Sequence, residues 1–153
     1  MQKLLIGGIG KALFGDYGIG PAAIKVLESQ YVFDNAVEFF ESPVATPHWK
    51  SAEALILIDA VDFGGQPGDI RLFRTNQRLL VGMQGRHFHP GLPLSRPVRD
   101  CIPHVIDAVL RELRALGIWY APKPKPARGS IGRDRQSPRN DVVVVCESVC
   151  RRL

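Results

Sequence analysis

Two aspartates and two histidines hold most of the chemical potential of this 153-residue chain. Asp16 lies in the glycine loop Gly8-Ile9-Gly10-Lys11-Ala12-Leu13-Phe14-Gly15-Asp16-Tyr17-Gly18-Ile19-Gly20. Asp59 ends the apolar run Ala54-Leu55-Ile56-Leu57-Ile58. Either one alone serves as a cap or a turn former. Two that converge at one sheet end can hold a hard or borderline cation, or act as acid and base on a bound peptide. His87 and His89 flank Phe88 in a Gly- and Pro-rich loop. Imidazoles so spaced can share a metal, nickel included, although plain exposed loop histidines are common. His48 and His104 stand alone, and Asp62, before Phe63-Gly64-Gly65, reads as a turn former.

The glycine loop itself admits a nucleotide reading. Gly8 and Gly10 after a strand open a dinucleotide fingerprint, whose third glycine would fall at Leu13. A leucine there argues against it, and glycines at a tight strand exit explain the pair.

These groups need a sheet to position them. Lys3 to Ile6 is apolar enough for a buried central strand, and Pro21 opens a helix whose face is Ala23, Ile24, Val26 and Leu27. Ala36 to Phe40 is a second strand, residues 42–52 are loop with room for one helical turn, and Ala54 to Ile58 is the clearest strand. Asp69 to Arg74 and Arg78 to Met83 are separated only by Thr75-Asn76-Gln77, a gap that permits a hairpin but no crossover. Val98, Cys101, Ile102, Val105, Ile106, Val109, Leu110, Leu113 and Leu116 form the stripe of a long helix. Pro103 kinks that helix or marks its first turn, and Gly117 stops it. The pattern predicts an α/β fold, a three-layer sandwich with a twisted, mainly parallel sheet and helices on both faces. Ligands in such folds sit beyond the carboxyl ends of the strands, which places Gly8–Gly18, Glu41–Val44 and Asp59 around one crevice.

Charge divides the chain. Residues 1–117 balance 12 basic against 12 acidic side chains, whereas residues 118–153 carry 8 against 3, the whole net charge of +5. We therefore read one domain over 1–117 and a basic, Pro- and Gly-rich, loosely structured tail over 118–153. The tail has no aromatic residue after Tyr120 to stack on bases, so no nucleic-acid partner is expected. No apolar run approaches the ~20 residues of a membrane span. Met1 to Ile6 lacks the features of a secretory signal. Cys101, on the helical stripe, and Cys146 and Cys150, in the tail, are a sparse, odd set that suits a reducing compartment. The expected location is cytoplasmic.

Three collinear stretches resemble the maturation peptidases of nickel–iron hydrogenases. They are the glycine loop from Gly8 to Gly20, the run Leu57 to Gly65 with Pro67-Gly68, and Leu80 to Gln84 with Pro90-Gly91-Leu92, Leu94-Ser95 and Pro97-Val98. The resemblance covers residues 1–117 and implies an aspartic-type cytosolic endopeptidase. Its implied partner is a hydrogenase large-subunit precursor, from which it removes a C-terminal extension. Nickel, the implied metal, is carried by that precursor.

Three metal-contacting residues are implied: a first-loop acid, an Asp ending the central strand, and a His in a Thr-His-Gln loop. Asp59 matches the second. The first falls at Tyr17, beside Asp16, and Thr75-Asn76-Gln77 is either the His loop with His changed to Asn or a remnant of deletion. Glu41-Ser42-Pro43-Val44 stands where an Asp-Gly-Gly-Thr stretch is usual. A phenol does not replace a carboxylate on a metal near neutral pH. The expected catalytic pair is Asp59 and Asp16, with Asp59, Asp16, His87 and His89 as possible metal contacts. A catalytically silent relative that binds the precursor or a maturation factor is the alternative. One helix of the family is absent, which would leave apolar surface on one face of the sheet.

Overall fold

The computed structural model describes residues 3–42, 49 and 52–124. Its elements in chain order are β1 (Leu4–Ile9), α1 (Ile19–Gln30), β2 (Tyr31–Phe33), β3 (Val37–Ser42), β4 (Ala54–Ala60), β5 (Ile70–Thr75), β6 (Arg78–Met83), α2 (Arg96–Asp100), α3 (Ile102–Ala115) and β7 (Tyr120–Pro122). Five strands form one sheet in the order β3-β1-β4-β6-β5. The first four run parallel, and β5 turns back on β6 as the short gap between them requires. The mainly parallel α/β expectation holds.

Strand alternation sorts the core into two faces. Leu4, Ile6, Ala54, Ile56, Ile58, Leu79, Val81 and Met83 pack against α1 and α3. Helix α1 contributes Ile19, Ala23, Ile24 and Leu27, all buried, and α3 contributes Val105, Ile106, Val109 and Leu113. Each such side chain removed from water stabilises the fold by about 1.5–3 kcal/mol. Truncating Leu27 to Ala would leave a cavity costing about 2–5 kcal/mol.

Both long helices lie on that one face. On the other, Leu5, Leu55, Leu57 and Leu80 pack with Phe73 and Trp49, and a second helical layer is not found among the described residues. The bare apolar surface expected there is not found either, because these six side chains are all buried. Trp49, from a stretch read as loop, lies 6.5 Å from the Phe40 ring, and the Phe40 ring occupies the space that a side chain on Gly7 would need. Large aromatics fill the volume on this face.

The long amphipathic stretch breaks at Cys101, where α2 ends and α3 begins. Pro103 is the second residue of α3, a position where its missing N–H costs nothing, so it starts a helix and does not kink one. Gly117 (φ 71) ends α3: its N–H donates to Arg114 O and the Ile118 N–H to Leu113 O, a Schellman pair.

The folded part does not stop at Gly117, where the sequence boundary was drawn. Strand β7 pairs antiparallel with β2, and the Tyr120 ring packs 6.0 Å from Tyr31. The Lys123 N–H donates to Gln30 O at 2.7 Å. One apolar anchor, Tyr120, outweighs the proline-rich composition around it. Val142–Val145, Cys146, Cys150, Pro43, Val44 and His48 lie outside the described residues. Among the described residues no helix is long and apolar enough to cross a membrane.

Candidate functional site

The parallel strands deliver their carboxyl ends to one edge. Gly8 lies beside Glu41 on one side and Ile58 on the other, Ile9 beside Ser42, and Asp59 beside Gly82. Helix α1 begins directly over these ends. A Cβ on Gly20 would overlap the carbonyl oxygens of Ile9 and Ile58, and one on Gly8 would overlap the Gly20 backbone. Gly10 (φ 129) turns the chain, its N–H donating to Ser42 O at 2.9 Å, and the Lys11 N–H donates across the loop to Tyr17 O. The glycines therefore allow backbone-to-backbone packing, the structural reading weighed against a nucleotide loop.

Asp59 sits half-buried at the end of β4, on the Leu55–Leu57 face by alternation. Burial pushes its carboxyl up to about 6, and a hydrogen bond from the Ala60 N–H opposes this only in part. Such a group changes charge close to neutral pH and can both take and return a proton.

Asp16 is a different kind of residue. It is wholly buried, and its carboxylate accepts hydrogen bonds from the N–H groups of Arg86 (2.6 Å), His87 (3.1 Å) and Ser95 (2.7 Å) and from Ser95 Oγ (2.9 Å). Burial raises its pKa, but the bonds from Arg86, Ser95 and His87 outweigh that and hold the carboxyl below its usual range. Asp16 thus ties the glycine loop to the β6–α2 loop and the start of α2. A catalytic or metal-contacting role at Asp16 would require the carboxylate to turn inward and give up these four donors.

His87 and His89 come to the same end of the sheet but assemble no ligand set with the aspartates. His87 meets Asp16 through its backbone, accepting the Asp16 N–H at 2.7 Å. Both histidines are exposed, and among the described residues no group of three His, Cys, Asp or Glu could hold a metal. Between them Phe88 packs on Tyr17 with ring centroids 4.5 Å apart.

Sequence reasoning missed the working role of Gln84. Its buried amide accepts from the Phe63 (2.9 Å) and Gly65 (3.2 Å) N–H groups and donates to Asp62 Oδ1 and Gly85 O. It clamps the segment that follows Asp59. A glutamine closing the apolar run Leu79–Met83 was the available signal. Asp62 shapes a turn as read, accepting the Gly64 N–H at 3.1 Å.

No family model matches the chain. The hydrogenase expression/formation protein HoxM of Azotobacter vinelandii is 32% identical over 79 residues, covering 49% of this chain but only 38% of that protein. The hydrogenase maturating endopeptidase HybD from E. coli shares the fold, with a TM-score of 0.73 at 21% identity over 79% of this chain and 98% of HybD. The coenzyme F420 hydrogenase subunit delta of Methanothermobacter thermautotrophicus is 30% identical, and the alignment covers 93% of this chain and 96% of that one. The chain belongs to the hydrogenase maturation peptidase family.

The stretch Thr75-Asn76-Gln77 turns at the opposite end of the sheet from Asp59. Asn76 (φ 36) is at the tip of the β5–β6 hairpin, and the Leu55 N–H donates to Gln77 O at the amino end of β4. Asp59 lies four residues further along the strand, about 13 Å away. Asn76 is a turn residue at the wrong end of the sheet and cannot share a ligand with Asp59. Tyr17, the residue that the resemblance sets against a first-loop acid, is 43% exposed and presents a phenol, not a carboxylate.

Proposed function

We propose that the chain is a cytoplasmic maturation endopeptidase that removes the C-terminal extension of a nickel-loaded hydrogenase large-subunit precursor. The observation that carries this reading is Asp59, a half-buried carboxyl raised to about 6 at the carboxyl end of the central strand. Peptide hydrolysis joins a water oxygen to the carbonyl carbon, breaks the C–N bond and sends a proton to the departing amine. Asp59 takes the proton from water as a carboxylate and returns it as an acid. Nickel arrives as part of the substrate, and Asp59 is the family-matched side chain that meets it. The segment Asp62–Gly65, clamped by Gln84, keeps Asp59 at a fixed strand end.

A catalytically silent precursor-binding relative is the second reading, favoured by the phenol of Tyr17 and the occupied carboxylate of Asp16. Intact mass of the precursor, nickel-loaded and metal-free, after incubation with the protein separates the two. Loss of the extension from the nickel-loaded form alone supports the peptidase. An unchanged precursor that co-elutes with the protein supports the silent relative.

A further inference from the structure

The glycine loop and the β6–α2 loop pair backbone to backbone away from the strands. The Gly15 N–H donates to Leu92 O at 2.9 Å and the Gly91 N–H to Leu13 O at 2.7 Å. The pairing holds Leu13 at φ 61, a left-handed conformation a leucine rarely adopts, with 70% of its surface in solvent. Leu92 beside it is 40% exposed. Core packing explains neither side chain, and non-glycine residues strained in this way cluster at sites that bind.

Leu13 and Leu94 line a cleft of about 320 Å³ whose remaining wall includes Lys25 and Arg99. Arg99 also borders a second cleft of about 360 Å³, walled by Val26 and Ile102. Arg99 borders both clefts, so they adjoin at that residue, and a chain laid across it would meet both as one trough. Lys25 and Arg99 are exposed, and neither has an ion-pair partner among the described residues. Asp16 is buried and hydrogen-bonded, Asp100 is paired with Arg96 at 3.5 Å, and Glu28, one turn along α1 from Lys25, forms no ion pair with it. Residues 1–117 carry no net charge, so two unpaired cations on one apolar trough are a local feature.

We propose that this trough docks an extended acidic segment of the protein substrate. Its apolar side chains rest on Leu13 and Leu94, and its carboxylates meet Lys25 and Arg99. That the segment belongs to the substrate rests on the maturation reading above; its chemistry does not.

The test uses the full chain and two labelled peptides, Ser-Glu-Leu-Gly-Glu-Leu-Glu-Ser and the same peptide with lysine for each glutamate, followed by fluorescence anisotropy. The acidic peptide binds, the lysine peptide does not, and Lys25→Glu/Arg99→Glu weakens binding at least about tenfold. Leu13→Asn, which suits the left-handed backbone and so keeps the fold, weakens it several-fold. Equal binding of both peptides, no binding of either, or binding indifferent to these substitutions overturns the docking surface, whether or not the precursor is cleaved. Charge-dependent binding with an uncleaved precursor leaves the surface standing and removes only the maturation reading.

Discussion

The Asp16 carboxylate accepts both the N–H and the hydroxyl of Ser95, at 2.7 and 2.9 Å, and so fastens the glycine loop to the start of α2 across 79 positions of sequence. A charge this deep is tolerated because every approach to it is a donor. Replacing it with alanine leaves the Arg86, His87 and Ser95 N–H groups without their acceptor. Asp16→Ala should lower stability by about 3 kcal/mol, read as a reduced urea midpoint with an unchanged slope.

The same residue sets an acid limit. Its folded-state pKa is depressed, so its contribution is complete above the unfolded value and disappears as pH falls through the folded one. Thermal melts between pH 7 and 2 should therefore show a loss of stability below about pH 4 that Asp16→Asn does not show.

Asp59 has the opposite sign. Its pKa rises on folding to about 6, so the stability associated with its neutral form is present at low pH and lost as pH rises through 6. Asp59→Asn should accordingly be more stable than the parent at pH 8, by about 1–3 kcal/mol, and indistinguishable from it below about pH 4. A gain in stability on removing a carboxylate marks a group kept for chemistry over packing.

Gln84 offers a fourth check. With the amide removed in Gln84→Ala, the Phe63 and Gly65 N–H groups lose their acceptor. Hydrogen exchange at these two amides should accelerate by at least about tenfold, while amides in β1 and β4 keep their protection.

Tyr120 is the reverse case. Its hydroxyl is buried without a hydrogen-bond partner among the described residues, although its ring packs on Tyr31 and Phe33. Tyr120→Phe keeps the ring and removes the stranded hydroxyl, so it should be neutral or stabilising by up to about 1 kcal/mol, whereas Tyr120→Ala should be destabilising.

Much of this fold was legible because its central strands are apolar on both faces and its α3 stripe follows a strict helical period. The turn at Thr75–Arg78 was legible from length alone. What escaped the sequence was contact at long range. Asp16 reads as an acid in a glycine loop, and nothing local shows that three amides from the β6–α2 loop and the start of α2 will close on it. Asn76 sits in a stretch that resembles a ligand loop, and only strand direction reveals that it turns at the opposite sheet end from Asp59. Trp49 packs onto the sheet face opposite α1 and α3 from a stretch without strand or helix periodicity, a filling of volume that a pattern cannot express. Tyr120 was lost in proline-rich surroundings, since a three-residue strand has too short a pattern to register.

In the proposed reading Asp59 performs the chemistry while Asp16 holds the scaffold. The most direct measurement is the rate at which a nickel-loaded large-subunit precursor loses its C-terminal extension, followed by intact mass, with the parent protein and with Asp59→Asn. Processing by the parent is expected, with a fall of at least about 100-fold in a variant that remains folded. A folded Asp59→Asn protein that processes the precursor at the parent rate would contradict that reading.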